Sequence, residues 1–251
     1  MIKIERDGPV VVATMSRPPV NALNKEMVER FHALLDQITS DDSVTVLHLR
    51  SDQKIFSAGA DLALMHSCFS TPTGPDEMIA VVREMQELFF RIEAAPVVSV
   101  AELTGTAMGG GMELALACDV RVAAIESKLG LPESRLGLLP GAGGTQRLAQ
   151  LCGRGAANRL ILGAEIIDGA EAERIGLVEW AKPRSKLAEW TARVVQRFAA
   201  IPRAAIAANK RCIAASGDFS RGGYAQEISL TRALYDHPET RRRVSEFLVK
   251  A

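Results

Sequence analysis

Two carboxylates and three glycine-bearing turns are the parts of this 251-residue chain that could do chemistry. Glu113 stands in GTAMGGGMELALACD (105–119), where three consecutive glycines give way to an almost wholly apolar run. A carboxylate there has two readings. In the first turn of a helix, negative charge is favourable and solvent can reach it. In a helix buried on every side, which MELALAC suggests, it needs hydrogen-bond partners or a raised pKa. Glu133 follows Pro132 in LPESRLGLLPGAGGTQRL (131–148) and by itself reads as a surface loop residue. It lies 20 positions after Glu113, enough chain for a strand and a turn to bring the two together. Paired carboxyl groups can serve general acid–base catalysis on a water molecule.

The glycines add a second kind of group. IFSAGADL (55–62) and GTAMGGGMEL (105–114) each follow a strand-like segment and lead into a helical one. Glycine permits a close backbone approach. The start of a helix adds unpaired N–H donors and partial positive charge. Two such corners converging on one point would form an oxyanion hole. The competing reading is that the glycines only turn the chain. A phosphate-binding loop fits poorly: GAGGTQR lacks the Gly-Lys-Ser/Thr ending, and GTAMGGG lacks the GxGxxG spacing. His32, His48, His66 and His237 have no ligand spacing, and His48, within a strand, reads as structural. Ser57, Ser99 and Ser134 have no paired histidine motif, which argues against a serine hydrolase. The run Arg241–Arg243 reads as a solvated helix face, with a phosphate contact as the alternative.

These groups need elements to position them. IKIERDGPVVVATM predicts two short strands about Asp7-Gly8, and RPP at 17–19 ends them and opens a loop. Residues 24–38 carry Met27, Phe31, Leu34, Leu35 and Ile38 at helical spacing, with Asn24 as N-cap. Strands are expected at 44–50, 96–103, 119–124 and 176–181, with a helix at 76–93. That helix places Met78, Val82, Met85 and Phe89 on one continuous apolar side. The alternation predicts an α/β core over residues 1–183. Residues 184–251 read as a helical region with breaks at 201–202, 216–218 and 237–238, and no linker divides the two parts.

Composition bounds the function classes. Lys plus Arg and Asp plus Glu number 30 each, so the formal net charge is zero. Bulk charge thus gives no support to a nucleic-acid or acidic-lipid partner. Hydrophobic residues at 47% and charged residues at 24% supply an ordinary globular core. Cys68, Cys118, Cys152 and Cys212 are widely spaced and read as free buried thiols of a reducing compartment. No apolar stretch reaches the roughly 18–20 residues that span a bilayer. The opening MIKIERDGPVVVATMS alternates like a strand rather than a signal peptide, so the cytoplasm is the expected location.

RPPVNALN, FSAGADL, GGGMELALACD and PESRLGLLPGAGGTQRL stand in the order seen in the enoyl-CoA hydratase/isomerase family, the crotonases. The resemblance covers nearly the whole chain and is similar in spacing at all four motifs. It implies a spiral of β-β-α repeats with a C-terminal helical part that builds a homotrimer or a dimer of trimers. It implies an acyl-CoA thioester substrate, with coenzyme A as part of the substrate and no separate cofactor or metal. By motif position, the oxyanion-hole N–H groups fall on Ala60 and Gly110, and the catalytic carboxylates on Glu113 and Glu133. Both glutamates present favours a hydratase that adds water to a 2-trans-enoyl-CoA. Glu113 would activate the water and Glu133 would deliver a proton to the α-carbon. Gly141 matches a glycine beside the acyl end. Ala58, Asp61, Leu62, the loop Asn21, Ala22 and Leu23, and Phe247 and Lys250 fall where the family meets substrate. The alternatives are an isomerase that moves the double bond, another crotonase reaction, or a non-catalytic acyl-CoA-binding protein. An RNA-binding member is a further alternative, which the neutral charge does not support.

Overall fold

A computed structural model describes residues 1–214, 228, 231, 232, 235, 236 and 238–250, without the side chains of residues 211, 212, 239, 243 and 250. Strands β1 (Ile2–Asp7) and β2 (Val10–Met15) form an antiparallel hairpin about Gly8, whose φ is 56°. Helix α1 (Lys25–Ser40) starts at Asn24, whose side chain accepts from the Met27 N–H at 3.0 Å. The apolar residues read from the sequence, Met27 to Ile38, form its buried face. Then come β3 (Val46–Ser51), α2 (Leu62–Cys68), α3 (Gly74–Ala94) and β4 (Val98–Leu103). The next group is β5 (Ala107–Met108), α4 (Gly110–Leu116), β6 (Val120–Ala124) and β7 (Lys128–Gly130). A 3₁₀ turn (Pro132–Leu136) leads to α5 (Gly144–Ala157) and a π-helical turn (Asn158–Leu162). The chain continues through β8 (Ile167–Asp168), α6 (Gly169–Arg174), β9 (Trp180–Lys182), α7 (Arg184–Ala199), α8 (Arg203–Ala214) and α9 (Pro238–Lys250).

The main sheet has the order β1-β2-β3-β4-β6-β9 and is parallel except for the opening hairpin. A smaller sheet, β5-β7-β8, stands beside it. Strand alternation divides the main sheet's faces. Leu47, Leu49, Ala101 and Leu103 enter the larger core with α1, α3 and α4. Val46, Val98, Val100 and Val122 meet Leu187, Val194 and Val195 of α7 on the opposite face. The mixed α/β core with a C-terminal helical region is therefore as the sequence indicates.

One expectation shifts. The strand expected at 176–181 is confined to Trp180–Lys182. Gly176, with φ of 78°, instead closes the turn after α6, donating its N–H to the Glu173 carbonyl. The helical segment expected after SAGAD forms α2, with Asp61 as its N-cap. Cys68, Cys118 and Cys152 are free thiols, while the Cys212 side chain lies outside the described residues. Burial pushes the Cys118 thiol up to about 12 and that of Cys152 up to about 11, so both are inert at neutral pH. Among the described residues no helix is long and apolar enough to cross a membrane.

Candidate active site

Parallel strands leave their carboxyl ends on one side, and the turns after β3 and β4 meet there. The first turn is braced by the loop 17–23. Ala58 N–H donates to the Val20 carbonyl at 3.0 Å, and Leu23 N–H donates to the Gly59 carbonyl at 2.8 Å. That second bond closes a bridge between Leu23 and Ala60 without using the Ala60 N–H. The second turn ends at Gly110, the first residue of α4, whose N–H falls outside the helix ladder. The approach of the two corners explains their glycines. A Cβ on Gly59 would lie 2.7 Å from the Gly110 nitrogen, and one on Gly110 would lie 3.3 Å from the Ala60 nitrogen. Any side chain there would wedge the two donors apart.

Glu113 is 3% exposed on α4, yet its charge is not abandoned to the core. Its Oε1 accepts from Ala142 N–H at 2.8 Å and Gly144 N–H at 2.9 Å. Gly144 opens α5, so these are donors of a helix start, where a carboxylate is favoured. Of the two sequence readings, the buried and partnered one holds. The turn that supplies the donors is itself pinned. Gln86 of α3 donates to the Gly141 carbonyl at 2.7 Å. Arg147 donates to the Ala142 carbonyl at 2.9 Å and forms a two-pronged pair with Glu93 at 2.6 and 2.7 Å. With both carbonyls held, the N–H of Ala142 has one direction left, toward Glu113.

Glu133 is half-buried on the 3₁₀ turn. A Cβ on Gly109 would come within 3.1 Å of its Oε1, so the glycine run also makes room for the second carboxylate. The return of the chain through β6 and β7 brings Glu133 to the corner holding Glu113, as the 20-residue spacing permits.

The corners open onto two connected spaces. An outer cleft of about 420 Å³ is walled by Ala58, Ala60 and Leu62 on one side and by Met108 to Gly110 on another. Glu133, Arg135, Leu136 and Phe247 are among the rest of its lining. An inner chamber of about 70 Å³ shares Ala60, Gly110 and Glu133 with that cleft and adds Glu113, Gly141 and Ala142. Its remaining wall is mostly apolar, with Met78, Val82, Met85 and Leu138.

The other expected residues divide. Ala58, Leu62 and Phe247 face the cleft, and Gly141 faces the chamber. Asn21, Ala22 and Leu23 are buried behind the Ala60 corner. The Asn21 amide donates to Ser51 Oγ at 2.7 Å and to the Phe56 carbonyl at 3.0 Å, and its Oδ1 accepts from Arg17 N–H. Asp61 caps α2 and pairs with Arg17 at 3.0 Å. The Lys250 side chain lies outside the described residues. Met65, Thr231 and Tyr235 also line the chamber and carried no motif in the sequence. Among the described residues no group of three or more His, Cys, Asp or Glu is placed to hold a metal ion.

The family model for enoyl-CoA hydratase/isomerase matches residues 5–250. A short-chain-enoyl-CoA hydratase of Clostridium acetobutylicum is 34% identical over 212 residues, 84% of this chain and 79% of that protein. A 2,3-dehydroadipyl-CoA hydratase of Escherichia coli is 32% identical over 250 residues, 98% of this chain and 95% of that protein. The crystal structure of an enoyl-CoA hydratase from Bacillus anthracis superposes with a TM-score of 0.81 at 29% identity, covering 99% of this chain and 96% of that one. With the two corners and the two glutamates in place, these likenesses show that the chain belongs to the enoyl-CoA hydratase/isomerase family and is an enzyme of the hydratase type.

Proposed function

We propose that the enzyme adds water syn across the double bond of a 2-trans-enoyl-CoA, giving the 3-hydroxyacyl-CoA. The observation that carries this reading is the inner chamber, where Ala60, Gly110, Glu113 and Glu133 line one small space. The thioester oxygen would accept from the Ala60 and Gly110 N–H groups, which stabilise the enolate as its negative charge builds. Such donors cost no reorganisation, because the glycines that set them are fixed by packing. Glu113, tethered through Oε1 to the 142–144 turn, orients the attacking water and takes its proton. Glu133 delivers a proton to the α-carbon. Apolar walls from Met65, Met85 and Leu138 lower the local dielectric and strengthen each of these interactions.

Purified enzyme with crotonyl-CoA is expected to lose the absorbance of the conjugated enoyl thioester. No loss with any chain length overturns the reading, and turnover of a non-conjugated enoyl-CoA alone points to the isomerase. The assembly we read is a trimer or a dimer of trimers built through the C-terminal helices. A monomeric mass by light scattering would refute this.

A further inference from the structure

Glu113 is tethered by a turn that other side chains pin, and Glu133 poses the same problem of support. It stands on a 3₁₀ turn of only 5 residues, Pro132–Leu136. The i→i+3 bonds of such a turn have poorer geometry than those of an α-helix, so outside contacts must hold its shape. Pro132 opens the turn and offers no N–H. Gly137 closes it in the left-handed region, with φ of 74°.

The backbone after Glu133 is gripped from two sides. On one side, Ser134 Oγ donates to the Ile161 carbonyl at 2.5 Å and Arg135 donates to the Ala164 carbonyl at 2.6 Å. On the other, α9 comes down on Gly137. Thr240 is 1% exposed, and its hydroxyl donates to the Gly137 carbonyl at 2.9 Å. A Cβ on Gly137 would lie 2.9 Å from Thr240 Oγ1 and 3.5 Å from Thr240 Cα, so this glycine also lets the helix approach. The peptide joining Gly137 and Leu138 is thereby fixed at both ends. Its carbonyl accepts from Thr240, and its N–H donates to the Glu133 carbonyl at 3.1 Å. Hydrogen bonds in such a chain polarise and strengthen one another. The base of the clamp is anchored as well: Arg241, the next residue of α9, donates to the Phe69 carbonyl at the end of α2 at 3.3 Å.

We propose that Thr240 is a positioning residue for the reaction, through which the C-terminal helix sets the backbone that carries Glu133. This rests on the hydratase reading in one respect, that Glu133 handles the α-carbon proton. Thr240→Val removes the donor at nearly constant shape. It is expected to lower kcat for crotonyl-CoA by about tenfold with KM little changed, as a small misplacement of a reacting group does. Thr240→Ser, which keeps a hydroxyl, is expected to restore most of the rate. In a Glu133→Gln background, Thr240→Val is expected to change kcat by less than about twofold, because a residue that acts through Glu133 then has nothing to position. A hydroxyl that serves stability alone would shift the melting temperature and leave kcat per folded molecule unchanged. Wild-type kcat in folded Thr240→Val, no rescue by Thr240→Ser, or an equal loss in both backgrounds would each overturn the proposal. If Thr240→Val does not fold, Gly137→Ala presses on the same contact from the other side and is expected to give the same dependence on Glu133.

Exchange of the α-hydrogens of butyryl-CoA in D₂O, followed by NMR, separates this proposal from the hydratase reading. In that exchange Glu133 takes an α-proton, the enolate forms, and a deuteron returns to the same carbon, with no water added. If the wild type hydrates no enoyl-CoA but exchanges, and Thr240→Val slows the exchange, the hydratase reading fails and the positioning role stands. If the wild type neither hydrates nor exchanges, Glu133 moves no proton and both fall.

Discussion

Among the described residues two glutamates are buried, on opposite sides of one sheet, and their surroundings differ. Glu102 of β4 is 5% exposed and faces the layer beneath α7, where its Oε2 meets His48 Nε2 of β3 at 3.1 Å. Glu113 is 3% exposed on α4 and is held by two backbone N–H groups of a turn. Glu102 lines neither the cleft nor the chamber, while Glu113 is part of the chamber wall. Burial alone therefore does not place a carboxylate on the wall of the chamber. A side-chain partner within a sealed layer uses the group for packing. Backbone donors fix one oxygen and leave the carboxylate aimed at a space where water and substrate can come. His48, read from the sequence as structural, is so because its partner and its burial close it off.

That comparison breaks most sharply at the chamber. Glu113→Gln and Glu133→Gln are each expected to lower kcat by about 10²–10⁴, with acyl-CoA affinity measured by calorimetry nearly unchanged. Wild-type turnover in either variant would remove that glutamate from the mechanism. Gly59→Ala should cost about 10²–10³ in kcat by forcing the Gly110 nitrogen away, as stopped-flow turnover would read. Arg147→Met leaves the Ala142 carbonyl unpinned and is expected to lower kcat about tenfold with KM little changed, since it acts through the tether of Glu113. Glu102→Ala supplies the contrast. Activity per folded molecule should stay within about twofold, while urea unfolding shows a loss of about 1–3 kcal/mol from the stranded partner. A large fall in kcat with unchanged stability would erase the distinction between the two glutamates.

The smallest effect lies at the surface. The hydrogen bond from Lys3, then that from Ser16, lowers the Asp52 carboxyl to about 2. A carboxyl held below its unfolded value near 3.9 stabilises the fold above that value and loses this contribution as pH falls toward 2. Asp52→Asn should lower the melting temperature slightly at neutral pH and leave it nearly unchanged near pH 2, so that the acid limb between about pH 4 and 2 is flatter. An identical acid limb would show that the pair contributes nothing.

Much of this site was legible in the chain because local chemistry specifies it. The apolar spacing of α1 and the Asn24 cap are one-dimensional signals, and both stand in the structure. So are the glycines at 59 and 109–111, since no other residue fits where the backbones of two turns meet. Other parts gave no such signal. Gln86 and Arg147 read as ordinary helix residues, and their role depends on carbonyls they meet across the fold. Thr231 and Tyr235 carry no motif, and only chain return places them at Gly141. The apolar side of α3 read as a single core face, yet Leu88 and Phe89 enter the main core while Met78 and Val82 wall the chamber.

By itself the sequence determined the strands at the centre of the main sheet and the longer helices beside them, the turns that need glycine, and the presence of two carboxylates with the motifs around them. These follow from periodicity, steric freedom and residue type, each readable within a few positions. The tertiary structure decided that the two turns converge, that Glu113 is tethered at one oxygen while Glu102 is sealed away, and which side chains close the chamber. Those outcomes depend on distances between segments far apart in the chain, set by sheet order and packing and invisible to any local pattern.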